Sequence, residues 1–331
     1  MEQKEMDSSA PFLPQEIVRD ILIRLPVKSL LRFQCVYEDW KILFRSPSFI
    51  ADHLHHSSHR NPFLLLKCFI ACDFYHYCLL DGEMEVHKLH KIPLENSRLT
   101  VRNLYSNHGL LCLEIVNKCH SLFLYNPATR EVKQVSRRLE RFTGTVFDVG
   151  FGFNPILNDH NIVRLFVSGY DEMVNKVEVN SLNMGSWKEV EVGNLRVVKL
   201  KHGESFSANG AIFWFGYTVK HKVYNGKKCE IAGRVWIVSF DVAKEASTLI
   251  PMPAEIRYKD GVSSAVYEYK LAILYPTAIE NSETSSIDLW VMEEGTGASG
   301  EKWTWTKKYT TSPFPRRYPW KLCPQTIGGI K

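Results

Sequence analysis

The chain has 331 residues, 45% of them hydrophobic and 12% aromatic, too apolar for a disordered polymer and sufficient for a sizeable core. A formal net charge of +5 is mild for this length and does not by itself imply a nucleic-acid partner. The longest apolar stretch, Phe63 to Leu80, is broken by Lys67, Asp73 and His76, so no span reaches the roughly 18 uncharged residues of a membrane helix.

Length suggests about two domains, with a small N-terminal module before one large domain. Met1 to Ser9 is polar where a signal peptide would need an apolar core, and residues 1–10 are expected to be disordered. The eight cysteines lack a short repeated spacing and no Asn-x-Ser/Thr acceptor occurs. Both features favour a reducing compartment, hence free thiols and a cytoplasmic and/or nuclear location.

After Leu13-Pro14, the apolar residues Ile17, Ile21, Leu22 and Leu25 fall on one stripe of a first helix that Pro26 ends. A second helical run spans Val27 to Val36, and a third carries Trp40 and Leu43 before Pro47 stops it. Three short helices in about forty residues cannot bury all these side chains among themselves, so part of the surface is expected to need a partner.

The ordered set Leu13-Pro14-x-Glu16-Ile17, Leu25-Pro26-Val27-Lys28-Ser29-Leu30-Leu31-Arg32-Phe33, Val36, Trp40 and Ser46-Pro47-x-Phe49 resembles the F-box of plant F-box proteins. That resemblance implies an F-box over 11–56 that docks a Skp-type adaptor and, through it, cullin and RING subunits. Carried over by position, Leu13, Pro14, Ile17, Ile21 and Leu22 would face the adaptor, while Val36 and Trp40 would close the module and its edge. Tyr37-Glu38-Asp39 departs from the family's small residue and basic residue before the tryptophan. The two acids suit a helix start, which leaves adaptor affinity as the quantity in question.

His53, His55, His56 and His59 follow, and His55 with His59 at i, i+4 could bind Zn²⁺ if a third ligand approached. A polar linker over 57–62 is the plainer reading, and no metal or other cofactor is expected. Cys68, Cys72, Cys78 and His76 lack the knuckle spacing of zinc sites and read as strand residues.

Beyond Pro62 the pattern turns to short β-rich runs separated by Asn, Asp, Gly or Thr turns. A strand–turn–strand unit recurs at Ser121–Val135, Val177–Val190, Val235–Leu249 and Ile287–Met292 with Lys302–Lys307, about every 50 residues, the spacing of kelch-type propeller blades. His108–Leu113, Gly150–Asn154 and Asn209–Trp214 read as hairpin partners whose glycines suit tight turns. These stretches resemble the F-box-associated domain, although Asp159-His160-Asn161 replaces a commoner Asp-Tyr-Lys pattern. The fold class expected is α+β multidomain: a three-helix F-box, then an all-β, kelch-like β-propeller over 63–331. Since family members usually continue through a further strand–turn–strand unit, a truncated gene model or an incompletely closed ring with an unpaired edge is expected at the C-terminus.

No nucleophile elbow, zinc-protease helix, phosphate loop or dinucleotide fingerprint occurs, so intrinsic catalysis is not expected. Residues Lys302 to Lys331 contain seven Lys or Arg and no acid, interleaved with Trp303, Trp305, Tyr309, Phe314, Tyr318 and Trp320. Alternate aromatics mark a strand face more readily than a nucleic-acid platform, and neither a nucleic-acid nor a membrane partner is expected.

The resemblance thus implies a substrate receptor of a Skp–cullin–F-box ubiquitin ligase, not itself an enzyme, that binds an unknown protein substrate. A regulator that binds the adaptor without forming an active ligase is the alternative. No substrate-binding residue can be named, although 137–145, 219–233 and 293–301 are candidate recognition loops.

Overall fold

The computed structural model describes residues 13–60, 62–71, 74–80, 86–88, 100–116, 121–135, 145–167, 173–200, 205–224, 227–253, 255–256, 262–267, 270–278, 284–293, 303–315 and 325–328. Residues 1–10, Cys72 and most of the expected loops 137–145 and 293–301 lie outside these, as do the side chains of His59, Cys68, His76 and Cys78.

Four helices open the chain, one more than the sequence reading allowed: α1 (Gln15–Ile23), α2 (Val27–Phe33), α3 (Glu38–Arg45) and α4 (Pro47–Arg60). Ser46-Pro47, read above only as a stop, also starts the next helix. The Ser46 hydroxyl accepts from the Phe49 backbone N–H at 3.3 Å, and Pro47 occupies the first helical position, where its missing N–H costs nothing. Helix α4 therefore runs through the expected 57–62 linker as far as Arg60, and the first strand begins at Pro62. Leu22, Leu30 and Phe49 form the module's buried core, with Val18, Leu25, Trp40, Leu43 and Phe44 packed around them.

The rest of the described chain is β. Five antiparallel sheets follow in order. The second contains Thr100–Asn107, Leu110–Val116, Ser121–Asn126 and Glu131–Gln134. The third contains Thr145–Asn154, Asp159–Val167, Val174–Ser181 and Ser186–Val190. In the fourth, Lys199–Leu200 and Phe206–Ala208 both pair with Ala211–Tyr224, followed by Lys227–Asp241 and Ala246–Pro251. The fifth contains Ser263–Tyr267, Lys270–Ala278, Thr284–Glu293 and Thr304–Thr310. Each expected strand–turn–strand unit is the outer pair of one of these four sheets.

The first sheet joins the two ends of the β-region. Gln325–Gly328 pairs with Pro62–Leu65, followed outward by Phe74–Leu80 and Val86–Lys88. The innermost strands touch in sequence: 100–107 meets 145–154, then 206–208, then 263–267, then 325–328, which returns to 100–107. The described strands thus form a closed propeller ring. The expected open edge is replaced by strand 325–328, whose short length and position after a basic, proline-rich stretch concealed it.

Apolar cores fill the gaps between sheets. Tyr105, Cys112 and Leu122 pack on Val149 and Phe151 between the second and third. Leu165, Val177 and Val179 meet Trp214, Val238 and Phe240 between the third and fourth. Phe213, Phe215 and Ile237 meet Leu271, Ile273 and Met292 between the fourth and fifth. Polar ties join inner strands: the Tyr105 hydroxyl donates to Asp148 at 3.1 Å and the Ser205 hydroxyl to the Val149 carbonyl at 2.7 Å. Burial and the neighbouring Asp148 push the Tyr105 hydroxyl well above its usual range, keeping it a donor.

Three outer hairpins share one turn. Asn126, Ser181 and Asp241 accept through their backbone carbonyls from the N–H groups of Arg130, Gly185 and Glu245 at 2.7–2.8 Å. The closing residues are left-handed, with φ of 62°, 66° and 54°. Side-chain oxygens of Asn126 and Asp241 bond the backbone within the turn, which is why Asn and Asp mark it. The glycines divide by role: Gly109 and Gly210 sit in hairpin turns at φ 77° and 74°, whereas Gly150 lies in a strand against Trp214 of the next sheet.

Candidate functional site

Helix α1 carries two apolar stripes, not one. Successive residues on a helix lie about 100° apart, so Ile21 and Leu22 cannot share a face. Val18, Leu22 and Leu25 turn into the module, Leu22 being only 3% exposed. Leu13, Ile17 and Ile21, four residues apart, form an outward stripe, Ile21 being 47% exposed. Pro14 is exposed beside them and its carbonyl starts the helix by accepting the Val18 N–H at 3.1 Å.

A second exposed apolar area lies at the corner between α2 and α3. Val36 is 75% exposed, and Phe33, Tyr37 and Ile42 are also exposed. Trp40 is half-buried and anchors this corner, its ring 5.7 Å from both Phe33 and Tyr37. Of the seven residues expected at the adaptor, Leu13, Pro14, Ile17, Ile21 and Val36 are therefore open to a partner and Trp40 partly so. Leu22 is inside. Phe33, Tyr37 and Ile42 were not singled out from sequence, because no periodicity tells an outward apolar residue from an inward one in helices this short.

The acidic departure before Trp40 is accommodated. Glu38 and Asp39 occupy the first turn of α3, where the helix dipole favours carboxylates, and Glu38 pairs with Lys41 at 3.0 Å. Arg19 of α1 pairs with Asp52 of α4, and its guanidinium lies 6.0 Å from the Phe49 ring. His53 stacks on Phe49, and its Nε2 lies 2.9 Å from the Leu25 carbonyl, a structural role within the helical module. Among the described residues, no group of three His, Cys, Asp or Glu could hold a metal ion.

The basic C-terminal stretch is partly neutralised where it is described. Lys307 pairs with Asp288 at 2.9 Å and Lys308 with Glu293 at 3.1 Å. Trp303 and Trp305 pack against the core of the fourth and fifth sheets, and the Trp305 Nε1 donates to the Pro251 carbonyl at 2.9 Å. No helix among the described residues is long and apolar enough to cross a membrane.

Comparison with known proteins agrees with this architecture. Residues 11–52 match the F-box domain, and residues 68–326 match the F-box associated beta propeller domain. A chain of Arabidopsis thaliana named as an F-box protein is 26% identical over 307 residues, covering 86% of this chain and 75% of its own. Another from the same plant, named as an F-box/kelch-repeat protein, is 26% identical over 314 residues, covering 91% and 80%. A crystal structure of puromycin hydrolase aligns with a TM-score of only 0.32 at 10% identity, over 62% of this chain and 30% of that one. With an F-box match at its helices and a propeller match over most of its length, this chain belongs to the F-box proteins that carry an F-box-associated β-propeller.

Proposed function

We propose that this chain is the substrate receptor of a Skp–cullin–F-box ubiquitin ligase. The F-box docks the Skp-type adaptor, which connects it to cullin and RING subunits, and the propeller binds a protein target for ubiquitination and degradation. The chain itself supplies no catalytic group in this reading, because acyl transfer takes place elsewhere in the complex. It works in the cytoplasm or nucleus.

The observation that supports this most directly is the outward stripe Leu13, Ile17 and Ile21 on a module that already has its own core. Each of these side chains is about half exposed, so covering it would contribute roughly 1 kcal/mol. Together with Pro14, Val36 and the exposed part of Trp40, the stripe gives an association surface that can offset the cost of immobilising two proteins.

The test is recovery of a recombinant Skp-type adaptor by the full chain, beside the double variant Pro14→Ala, Ile17→Asp. Binding by the wild type and loss in the variant is the expected result. Equal binding by both would move the interface elsewhere. Recovery of cullin with the adaptor from cells then separates a ligase receptor from a regulator that only occupies the adaptor.

A further inference from the structure

The fourth sheet contains the two longest strands described, Ala211–Tyr224 and Lys227–Asp241. Only their proximal halves have other strand neighbours: Lys199–Leu200 pairs at 216–217, and Ala246–Pro251 pairs at 236–241. Beyond a register shift after Tyr217, residues 219–224 and 227–232 pair only with each other among the described strands. This two-stranded ribbon extends roughly 20 Å past the sheet at about 3.4 Å per residue. The sequence reading placed a recognition loop over 219–233; the segment is a hairpin arm instead.

The composition of the arm is one-sided. Residues 218–234 contain five Lys or Arg and one acid, Glu230. That carboxylate is already engaged by Lys199 at 2.8 Å, at the arm's base. Directly opposed residues share a face, and faces alternate along a strand. Lys220 opposite Ile231 and Lys222 opposite Cys229 therefore lie on one face, while His221 opposite Glu230 lies on the other. The first face combines exposed lysines with an apolar residue, Ile231, that is 43% exposed and carries no carboxylate. Val223, 69% exposed near the tip, lies on the opposite face with His221.

We propose that this ribbon is a docking arm for an acidic, partly apolar segment of a partner protein. Lysines on a free edge also discourage strand aggregation, but that function alone gives no reason to expose Ile231 among them. A phosphate backbone is a poorer match, since the lysine face carries the branched aliphatic Ile231 and residues 219–232 include no arginine to fork a phosphate. The exposed edges of the arm can add main-chain hydrogen bonds to an extended segment. This assignment rests on the receptor reading only in taking the bound partner as the ligase target.

The test uses the full chain and a fluorescein-labelled peptide of glutamates flanking a central leucine, read by anisotropy. Wild type should bind, with affinity falling as NaCl rises. Lys220→Glu with Lys222→Glu should weaken binding about tenfold or more, whereas Lys133→Glu on another sheet should not. Ile231→Ser should weaken binding at all salt concentrations. Circular-dichroism melts unchanged by each substitution, and adaptor recovery retained by each, separate this surface from the F-box and from misfolding. Peptide binding unaffected by the charge reversal would overturn the proposal, as would no binding at all. Tighter binding of a single-stranded RNA probe than of the peptide, lost in the same variant, would overturn it in favour of nucleic acid.

Discussion

Ile21 and Leu22, adjacent in the chain, point to different solvents: Ile21 is 47% exposed on the outer stripe of α1, and Leu22 is 3% exposed against Leu30 and Phe49. On the receptor reading proposed above, the pair separates binding from folding within a single helical turn. Ile17→Asp with Ile21→Asp should abolish adaptor recovery while leaving the thermal melt within about 1 kcal/mol of wild type. Leu22→Ala should do the reverse, costing about 2–5 kcal/mol in urea unfolding of the module while the remaining folded protein still binds. Loss of binding without loss of stability in Leu22→Ala would contradict this division.

Gly150 lies where the third and fourth sheets pack tightly together. A Cβ there would lie 2.6 Å from Trp214 Cζ2 and 2.7 Å from Ile212 Cγ2, both on buried side chains. Gly150→Ala should lower stability by about 1–3 kcal/mol, visible as a reduced urea midpoint with an unchanged slope and an altered Trp214 environment in fluorescence. A neutral result would mean that the interface between these sheets yields more easily than its packing implies.

His160 confers an acid sensitivity. Its ring stacks on Phe151 and contacts Phe153 and His108, and Nε2 is buried without a hydrogen-bond partner among the described residues. Burial, reinforced by His108 and only partly offset by a hydrogen bond to the Asn107 backbone, lowers its pKa from 6.5 to about 4. The folded state therefore resists the proton that the unfolded chain accepts. Stability is full above the unfolded pKa of 6.5 and declines as pH falls toward about 4, by roughly 3 kcal/mol at most for this group. His108, lowered by burial, acts in the same direction. His160→Phe, which keeps the ring stack, should flatten the dependence of the urea midpoint on pH between those limits; an unchanged slope would assign the acid lability to other groups.

Arg130 closes its turn at φ 62°, a left-handed conformation that Gly185 occupies in the equivalent turn of the next sheet. A Cβ is disfavoured there, so Arg130→Gly should stabilise the protein by up to about 1 kcal/mol, read as a rise in melting temperature. Destabilisation would show that the arginine side chain contributes more than its backbone conformation costs.

The F-box was legible because its signal is local: prolines at 14, 26 and 47 bracket helices whose apolar spacing can be counted. What the spacing could not reveal was direction, which is why Leu22 was grouped with Ile17 and Ile21. The outer strand pairs were equally legible, since the Asn126 and Asp241 turns repeat a local hydrogen-bonding pattern. Helix α4 was missed because Ser46-Pro47 reads as either a stop or a start, and only the Ser46 to Phe49 bond decides between them. The docking arm was read as a loop because Lys220 to Ala232 lacks the apolar face that identifies a strand packed on a core. The pairing of Pro62–Leu65 with Gln325–Gly328 is long-range and carries no local pattern in either segment.

That same pairing sets an order of events during synthesis. The strand beginning at Pro62 is made early, yet its inner neighbour, Gln325–Gly328, emerges only after the other four sheets have been translated. At about 5–20 residues per second, the nascent ring waits roughly 10–50 s with its first sheet lacking an inner strand. Helix α4 contacts both strands, so the seat of the F-box on the propeller is completed when this last segment arrives. On the receptor reading proposed above, an adaptor that recognises the helices alone can engage the chain before the ring has closed.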